Sequence, residues 1–307
     1  MKQINNVYLI GLGAIGGAYG SRIMENYPES LQIVADADRT ERYGKSGVTV
    51  NGQLVPFRYI TPEQVNEKAE LIVIAVKQHH LKQTIENIRR LVGSDTIILS
   101  LLNGISSEEI LGEEFGMDKM LHSFCVGTDA VRIGTDIRFS KIGRIVFGDR
   151  DNAESSAKVS AVREYFDRAG VPYEIPADIM RELWWKFTLN VGVNQVSAVL
   201  RVPYGELIRE EYTRELMFDA SREVITIARK AGIQLSEEDI QKYAGIVASL
   251  SPEGKPSMLQ DVEAGRKTEV EIFSGTVIEL GRRYDVATPV NDILFRLLKA
   301  LEQIRRD

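Results

Sequence analysis

Short apolar runs rich in β-branched residues recur through the first half of the chain, at Val7 to Ile10, Leu31 to Ala35, Leu71 to Val76 and Thr96 to Ser100. Runs that stay apolar at every position, instead of alternating, belong to parallel strands buried on both faces. Between them, Ile15 to Asn26 and His80 to Val92 space their apolar residues as helices do. Strand, helix, strand in that order predicts an α/β fold with a doubly wound, Rossmann-type parallel sheet and right-handed crossovers. After Met120 the texture changes. Leu121 to Val131, Asp136 to Phe139 and Arg144 to Gly148 are short strand patterns punctuated by Gly127, Gly134 and Gly143, which predicts an antiparallel extension of the sheet. From Ile179 the pattern is nearly all helical, with segments expected at 179–200, 204–232, 236–249, 258–284 and 289–305. The extended piece Val171-Pro172-Tyr173 and Pro176 mark the seam, so two domains are expected, at 1–175 and 176–307.

Composition narrows the class. A chain of 307 residues with 44% hydrophobic and 27% charged residues has core enough for two medium domains and no signature of disorder. A net charge of -6 and a pI near 5.4, with the basic residues scattered, argue against nucleic acid or an anionic membrane surface as partner. The basic pair Arg305-Arg306 reads as a solvated helix end. Cys125 is the single cysteine, which excludes an intrachain disulfide and a thiolate metal cluster and points to a reducing cytoplasm. His79, His80 and His122 are too few and too isolated for a metal site. Met1-Lys2-Gln3 runs straight into a strand pattern, so no signal peptide is expected, and no apolar run is long enough for a membrane span.

Candidate chemistry begins at Gly11-Leu12-Gly13-Ala14-Ile15-Gly16, between the first strand and the first helix. Gly11 would permit the tight turn, Gly13 the approach of a pyrophosphate, and Gly16 the packing of helix on sheet. The helix amino terminus would offer free N–H groups to the phosphates. Asp36 follows the second strand, about twenty residues past the third glycine, where a carboxylate can bond a ribose 2′-hydroxyl. That position favours NAD(H). Arg39 and Arg42 lie just beyond and can instead meet a 2′-phosphate or simply be solvated. Lys77-Gln78 and Asn103-Gly104 each follow a strand, where ligands gather in open α/β sheets.

In the second half, Lys186, Asn190 and Asn194 stand four residues apart within an otherwise apolar stretch from Trp184 to Asn194. Four residues turn about 400° on a helix, so one ammonium and two carboxamides line a narrow stripe. Unpaired buried polar groups cost roughly 1 to 3 kcal/mol each, so the stripe needs partners. Those partners are either a bound polar substrate or neighbouring helix ends in an ordinary core.

The glycine loop, Ala75-Val76-Lys77, Leu102-Asn103-Gly104, the Lys186/Asn190/Asn194 stripe, and Ser257-Met258-Leu259-Gln260-Asp261 followed by Thr268-Glu269 together resemble the ketopantoate reductase (2-dehydropantoate 2-reductase) family, in order and over essentially the whole length. The resemblance implies an amino-terminal Rossmann domain, a helical carboxy-terminal domain and an active site in the cleft between them. It further implies NADPH-dependent reduction of 2-dehydropantoate to (R)-pantoate, on the route to pantothenate and coenzyme A. Carried over by motif, Lys186 is the catalytic general acid and Glu269 its acidic companion, also on the cofactor side. Asn103, Asn190, Asn194 and Ser257 are substrate contacts, with Asn103 and Lys77 near the cofactor as well.

Two positions depart from the family pattern. Asp36 stands where many members place an arginine for the 2′-phosphate of NADP(H), which makes NAD(H) an alternative cofactor. Tyr204 precedes Gly205-Glu206-Leu207 where the pantoate-forming enzymes carry an asparagine, which admits a different 2-oxo acid as substrate. Alternative readings are thus a related hydroxy-acid or opine-type dehydrogenase and a non-catalytic NAD(P) sensor. A homodimer is compatible with so helical a carboxy-terminal half.

Overall fold

The computed structural model describes residues 3–150 and 156–304; Arg305-Arg306 and the last residue expected in the final helix lie outside them. In chain order the strands are β1 (Val7–Ile10), β2 (Leu31–Val34), β3 (Thr49–Val50), β4 (Gln53–Leu54), β5 (Tyr59–Ile60), β6 (Leu71–Ile74), β7 (Ile97–Ser100), β8 (Met120–Val126), β9 (Val131–Ile133), β10 (Asp136–Arg138), β11 (Arg144–Gly148) and β12 (Tyr173–Glu174). The helices are α1 (Ala14–Asn26), α2 (Ala37–Ser46), α3 (Leu81–Ile88), α4 (Ser107–Phe115), α5 (Ala157–Ala169), α6 (Ile179–Leu200), α7 (Tyr204–Arg209), α8 (Glu211–Lys230), α9 (Glu237–Ala248), α10 (Ser257–Glu263), α11 (Ser274–Tyr284) and α12 (Pro289–Ile304).

The contacts divide the chain into two compact units, Met1–Asn103 with Ser107–Ile179, and Gly104–Ser106 with Met180–Asp307. The first is an α/β unit whose eight-stranded sheet runs β12-β11-β8-β7-β6-β1-β2-β5. From β5 to β8 every neighbouring pair is parallel, and β11 joins β8 antiparallel, giving the expected antiparallel extension. Alternate residues of these strands enter opposite cores. Val7, Leu9, Leu31, Ile33, Leu71 and Val73 pack on one face, and Tyr8, Ile10, Val34, Ile72 and Ile74 on the other. That two-sided burial is why the strand sequences do not alternate in polarity.

The sheet order reverses at β1, with β2 on one side and β6 on the other. The carboxyl ends of β1 and β6 therefore form the switch point where open α/β sheets bind ligands. One expectation needs correcting: β9 and β10 do not extend the main sheet. They pair with the hairpin β3–β4 in a separate sheet of order β4-β3-β10-β9. That hairpin turns on Asn51-Gly52, both at positive φ, as a two-residue turn of matching twist requires. A Cβ on Gly17 would lie 2.1 Å from the Ile137 side chain, so α1 and β10 pack closely.

The second unit is helical throughout its described residues from Met180 on. Its core surrounds α6, which is apolar on nearly all sides and so is enclosed by other helices. At Gly192 a side chain would meet Ser221 Oγ at 2.5 Å and the Met217 carbonyl at 2.8 Å, so α6 crosses α8 in close contact there. The helix expected over 204–232 is two, parted at Glu210, and that over 258–284 is interrupted after Glu263 by Gly265 at positive φ.

Candidate active site

Each glycine of the 11–16 loop has a different neighbourhood. Gly11 has φ near +98°, and a Cβ there would lie 2.5 Å from the Ala75 carbonyl oxygen, so the fold itself demands glycine. At Gly16 a Cβ would meet the Gly11 carbonyl oxygen at 1.9 Å, which excludes any side chain. Gly13 is unlike both. Its φ is -75°, and the nearest atom to a Cβ is Ala75 O at 3.9 Å, an ordinary contact. Nothing among the described residues requires glycine at 13, but a ligand lying on the loop would. Gly13 is the N-cap of α1 and offers no side-chain cap, Ala14 and Ile15 open the first turn, and that turn holds no acidic residue. The amide donors and positive dipole end are thus left to an anion, and the cradle fits a dinucleotide pyrophosphate.

Arg132 on β9 was not singled out by the sequence reading. Its guanidinium donates to the carbonyl of Leu12 in the glycine loop, to the Gly134 carbonyl at 2.7 Å and to the Tyr43 hydroxyl at 3.3 Å. It also lies over the Tyr43 ring at 5.3 Å, and Arg42 lies 5.4 Å from the same ring. The small sheet thereby ties the glycine loop to α2. No motif spacing could have linked positions 12, 43 and 132.

Asp36 is the N-cap of α2. Its Oδ1 accepts the Arg39 backbone N–H at 2.8 Å, and Oδ2 lies 3.5 Å from Arg39 Nε. Both side chains are about half exposed, so the pair adds little stability. Asp36 therefore has a structural duty in the described protein, which the sequence reading had not given it. At the switch point, Gly11 abuts Ala75 and Val76, which precede Lys77. Lys77 is half-buried and engaged with another group, and beside it Gln78 Oε1 is buried without a hydrogen-bond partner. Asn103, also half-buried and engaged, ends the strand-to-loop stretch that follows β7.

In the helical unit, α6 places Lys186, Asn190 and Asn194 one turn apart. Asn190 and Asn194 are buried and Lys186 is half-buried. Asn194 Oδ1 accepts from Ser257 Oγ at 3.1 Å and from the Met258 backbone N–H at 3.3 Å. Because Met258 N–H can only donate, the amide orientation of Asn194 is fixed, and its Nδ2 donates to Asn190 Oδ1 at 3.3 Å. Asn190, Asn194 and Ser257 are thus brought together, and the two possibilities for the stripe are partly merged. Asn194 does bond a helix end, that of α10, and in doing so it orients Asn190. Glu269 is buried after Thr268, whose N–H and hydroxyl both bond Glu302, at 2.8 and 2.6 Å. Lys186 and Glu269 are each engaged with other groups.

Tyr204 opens α7, with its N–H on the Gly254 carbonyl at 2.9 Å. A Cβ on Gly254 would lie 3.0 Å from the Tyr204 ring, and burial raises the phenol above its ordinary pKa. The ring fills the space beside the 252–254 turn, and this explains why Gly254 must stay small. Next to the stripe, the sequence reading also passed over Gln195. Its Nε2 donates to Val191 O and Asn291 Oδ1, and its Oε1 accepts from the backbone N–H and the hydroxyl of Ser274. Glu223 caps α12 through the N–H groups of Val290 and Asn291. The signal available was a second amide adjoining Asn194 in an apolar helix.

Residues 7–152 match the family model described as ketopantoate reductase PanE/ApbA, and residues 178–302 match that of the carboxy-terminal part of the same family. The chain belongs to the ketopantoate reductase family. It is accordingly an oxidoreductase, and its family assignment spans both units. A protein of Aquifex aeolicus named 2-dehydropantoate 2-reductase is 27% identical over 300 residues, covering 96% of each chain. Among solved structures, a D-mandelate dehydrogenase with NADH and anilino(oxo)acetate has a TM-score of 0.89 at 21% identity, covering 98% of this chain and 100% of that one. A dimeric ketopantoate reductase from Staphylococcus aureus has a TM-score of 0.84 at 20% identity, covering 98% and 99%. The structural likenesses establish the family's fold.

Proposed function

We propose that this chain reduces 2-dehydropantoate to (R)-pantoate, with Lys186 as the general acid. The observation that carries the reading is the pair Asn190 and Asn194, one and two turns beyond Lys186 and locked by Ser257 of α10, in a chain several of whose relatives are named for this reaction. A reduced nicotinamide dinucleotide held by the Gly11 to Gly16 loop would supply the hydride for the ketone carbon. As negative charge develops on the ketone oxygen, the Lys186 ammonium stabilises it and gives up a proton to it, leaving the hydroxyl of the product. Asn190, oriented by Asn194, and Ser257 hold the substrate's polar groups. Glu269 orients the ammonium, and Asn103 contributes from the loop after β7.

For the cofactor, Gly11 to Gly16 hold the pyrophosphate, and Lys77 and the unpartnered Gln78 Oε1 provide polar groups at the neighbouring strand end. The Asp36–Arg39 pair is the selector at the ribose. Asp36 bonds a 2′-hydroxyl and opposes a 2′-phosphate, and Arg39 softens that opposition. The neighbour solved with NADH is consistent with use of the unphosphorylated cofactor.

The half-buried Tyr204 supports a second reading, in which another 2-oxo acid is the substrate. Reduction of 2-dehydropantoate, followed by nicotinamide absorbance with NADH and with NADPH, decides between them. Turnover with either cofactor supports the first reading. Its absence with both, together with turnover of another 2-oxo acid from a panel, establishes the second, while cofactor binding with no turnover at all leaves only a sensor. A homodimer is the assembly we favour, supported by the dimeric relative and by Ile293 and Leu297, which stand exposed one turn apart on α12. Sedimentation velocity tests it.

A further inference from the structure

A fully buried carboxylate lies where the proposed chemistry does not use it. Glu108, in the first turn of α4, is 2% exposed. Its Oε1 accepts the Ser123 backbone N–H at 3.3 Å and its Oε2 the Ser107 hydroxyl at 2.8 Å. Ser107 Oγ is in turn 2.8 Å from Ser100 Oγ, and the Ser123 hydroxyl donates to the Ser100 carbonyl at 2.8 Å. Ser100 ends β7 and Ser107 begins α4, so the hydroxyl-to-hydroxyl bond closes the base of the loop that runs through Asn103 and Gly104.

We infer that Glu108, with Ser100, Ser107 and Ser123, is a proton-responsive staple that sets the position of the Asn103–Gly104 loop. Glu108 is a positioning residue, and its link to turnover rests on the reading of Asn103 as a substrate contact.

The network has two self-consistent proton arrangements. With Glu108 ionised, Ser107 donates to Oε2 and Ser100 donates to Ser107. With Glu108 protonated on Oε2, the carboxyl donates to Ser107 Oγ, Ser107 donates to Ser100 Oγ, and the Ser123 N–H remains on Oε1. The ionised form buries a charge that no cation among the described residues pairs with, and burial pushes the carboxyl up to about 7. Glu109, next on the helix, pushes it further the same way. Of the other charged groups on elements packed against α4, Lys82 on α3 is exposed, and none pairs with Glu108 among the described residues. Asp118 and Lys119 pair with each other, Arg89, which follows α3, pairs with Glu86 and Glu114, and His122 on β8 is held neutral down to about pH 4.

A local opening that admits water to Glu108 restores its ordinary acidity. By linkage, opening becomes easier by about tenfold per pH unit between the ordinary carboxyl value and about 7, and no easier above it.

The test is amide hydrogen exchange of residues 101–106 in the intact protein from pH 5 to pH 8, with rates normalised to the intrinsic rate at each pH. In the wild type, protection should fall by at least tenfold between pH 5 and pH 7 and then level off. Glu108→Gln keeps a hydrogen-bonding side chain of the same shape, so its protection should stay high and flat with pH. Ser107→Ala cuts the staple on the other side and leaves Ser100 Oγ and Glu108 Oε2 without that partner, so it should lower loop protection at every pH, with a lower Tm beside it. Wild-type protection independent of pH, or an unchanged pH dependence in Glu108→Gln, overturns the inference. Exchange is read without substrate, so absent turnover of 2-dehydropantoate would sink the proposed function and leave this result standing. If turnover is seen, the KM for the oxo acid should rise with pH in the wild type and not in Glu108→Gln.

Discussion

Asn194 and Gln195 are neighbours on α6, both buried amides in an apolar helix, and they do opposite work. Gln195 spends both amide protons and both acceptor directions on Val191, Asn291 and Ser274. Asn194 faces the other way, holds the end of α10, and passes an orientation to Asn190, which accepts a single bond from it. The lesson is that a buried polar residue marks a site by the capacity it keeps. A saturated amide builds the core, and an incompletely used one, as at Asn190, keeps the capacity that the proposed substrate would take up.

The largest effect that can break this contrast comes from Lys186→Ala. It should lower kcat by about 10² to 10⁴, the range of a positioned acid, with Tm nearly unchanged. Steady-state kinetics beside a thermal melt would check both, and a wild-type kcat would remove Lys186 from the mechanism. Gln195→Leu should do the reverse. It strands the Ser274 backbone N–H, while the Ser274 hydroxyl and Asn291 Oδ1 keep their own bond at 3.1 Å, and a loss of roughly 1 to 3 kcal/mol for the orphaned donor should appear in urea denaturation while kcat of the folded fraction holds. Asn194→Ala falls between them, with a KM for the oxo acid raised about tenfold and about 1 kcal/mol of stability lost. If Asn194→Ala behaved like Gln195→Leu, the distinction between the two amides would collapse.

A smaller test sits in the first unit, where two buried groups titrate with opposite signs. Glu108 is raised to about 7, so the native state holds its proton longer and stability falls as pH rises from the ordinary carboxyl value to about 7. His122 is lowered to about 4 by burial, so stability gains as pH rises from about 4 to its ordinary value. Across the shared window the two slopes oppose. His122→Gln should uncover the Glu108 slope, roughly 1.4 kcal/mol per pH unit, in denaturation curves collected between pH 5 and pH 6.5.

How much of this was legible depended on how each segment is held. The parallel strands and α6 declared themselves because burial on nearly every side leaves mostly apolar residues, against which the polar stripe of α6 stands out. Helix α2 did not, since only Tyr43 of its ten residues is buried and its signal is the Asp36 cap. The break between α7 and α8 falls at Glu210, which carries no breaker chemistry, whereas the break after Glu263 was announced by Gly265. The candidate site split in the same way. Lys186, Asn190 and Asn194 share one helix and so a visible spacing, and Ser257 and Glu269 came with the family motifs. Arg132 reaches Leu12 and Tyr43 across three separate elements, and only the fold brings them together.

Finally, the open space at Gly13 makes the protein and its ligand separable by one methyl group. Gly13→Ala meets no clash in the chain itself, so the variant should melt as the wild type does yet lose nucleotide affinity by at least tenfold in fluorescence titration. The same change at Gly11 or Gly16 would unfold the loop and blur the two effects. A single position thus offers a folded, nucleotide-blind form of the enzyme, against which anything else that binds this chain can be measured.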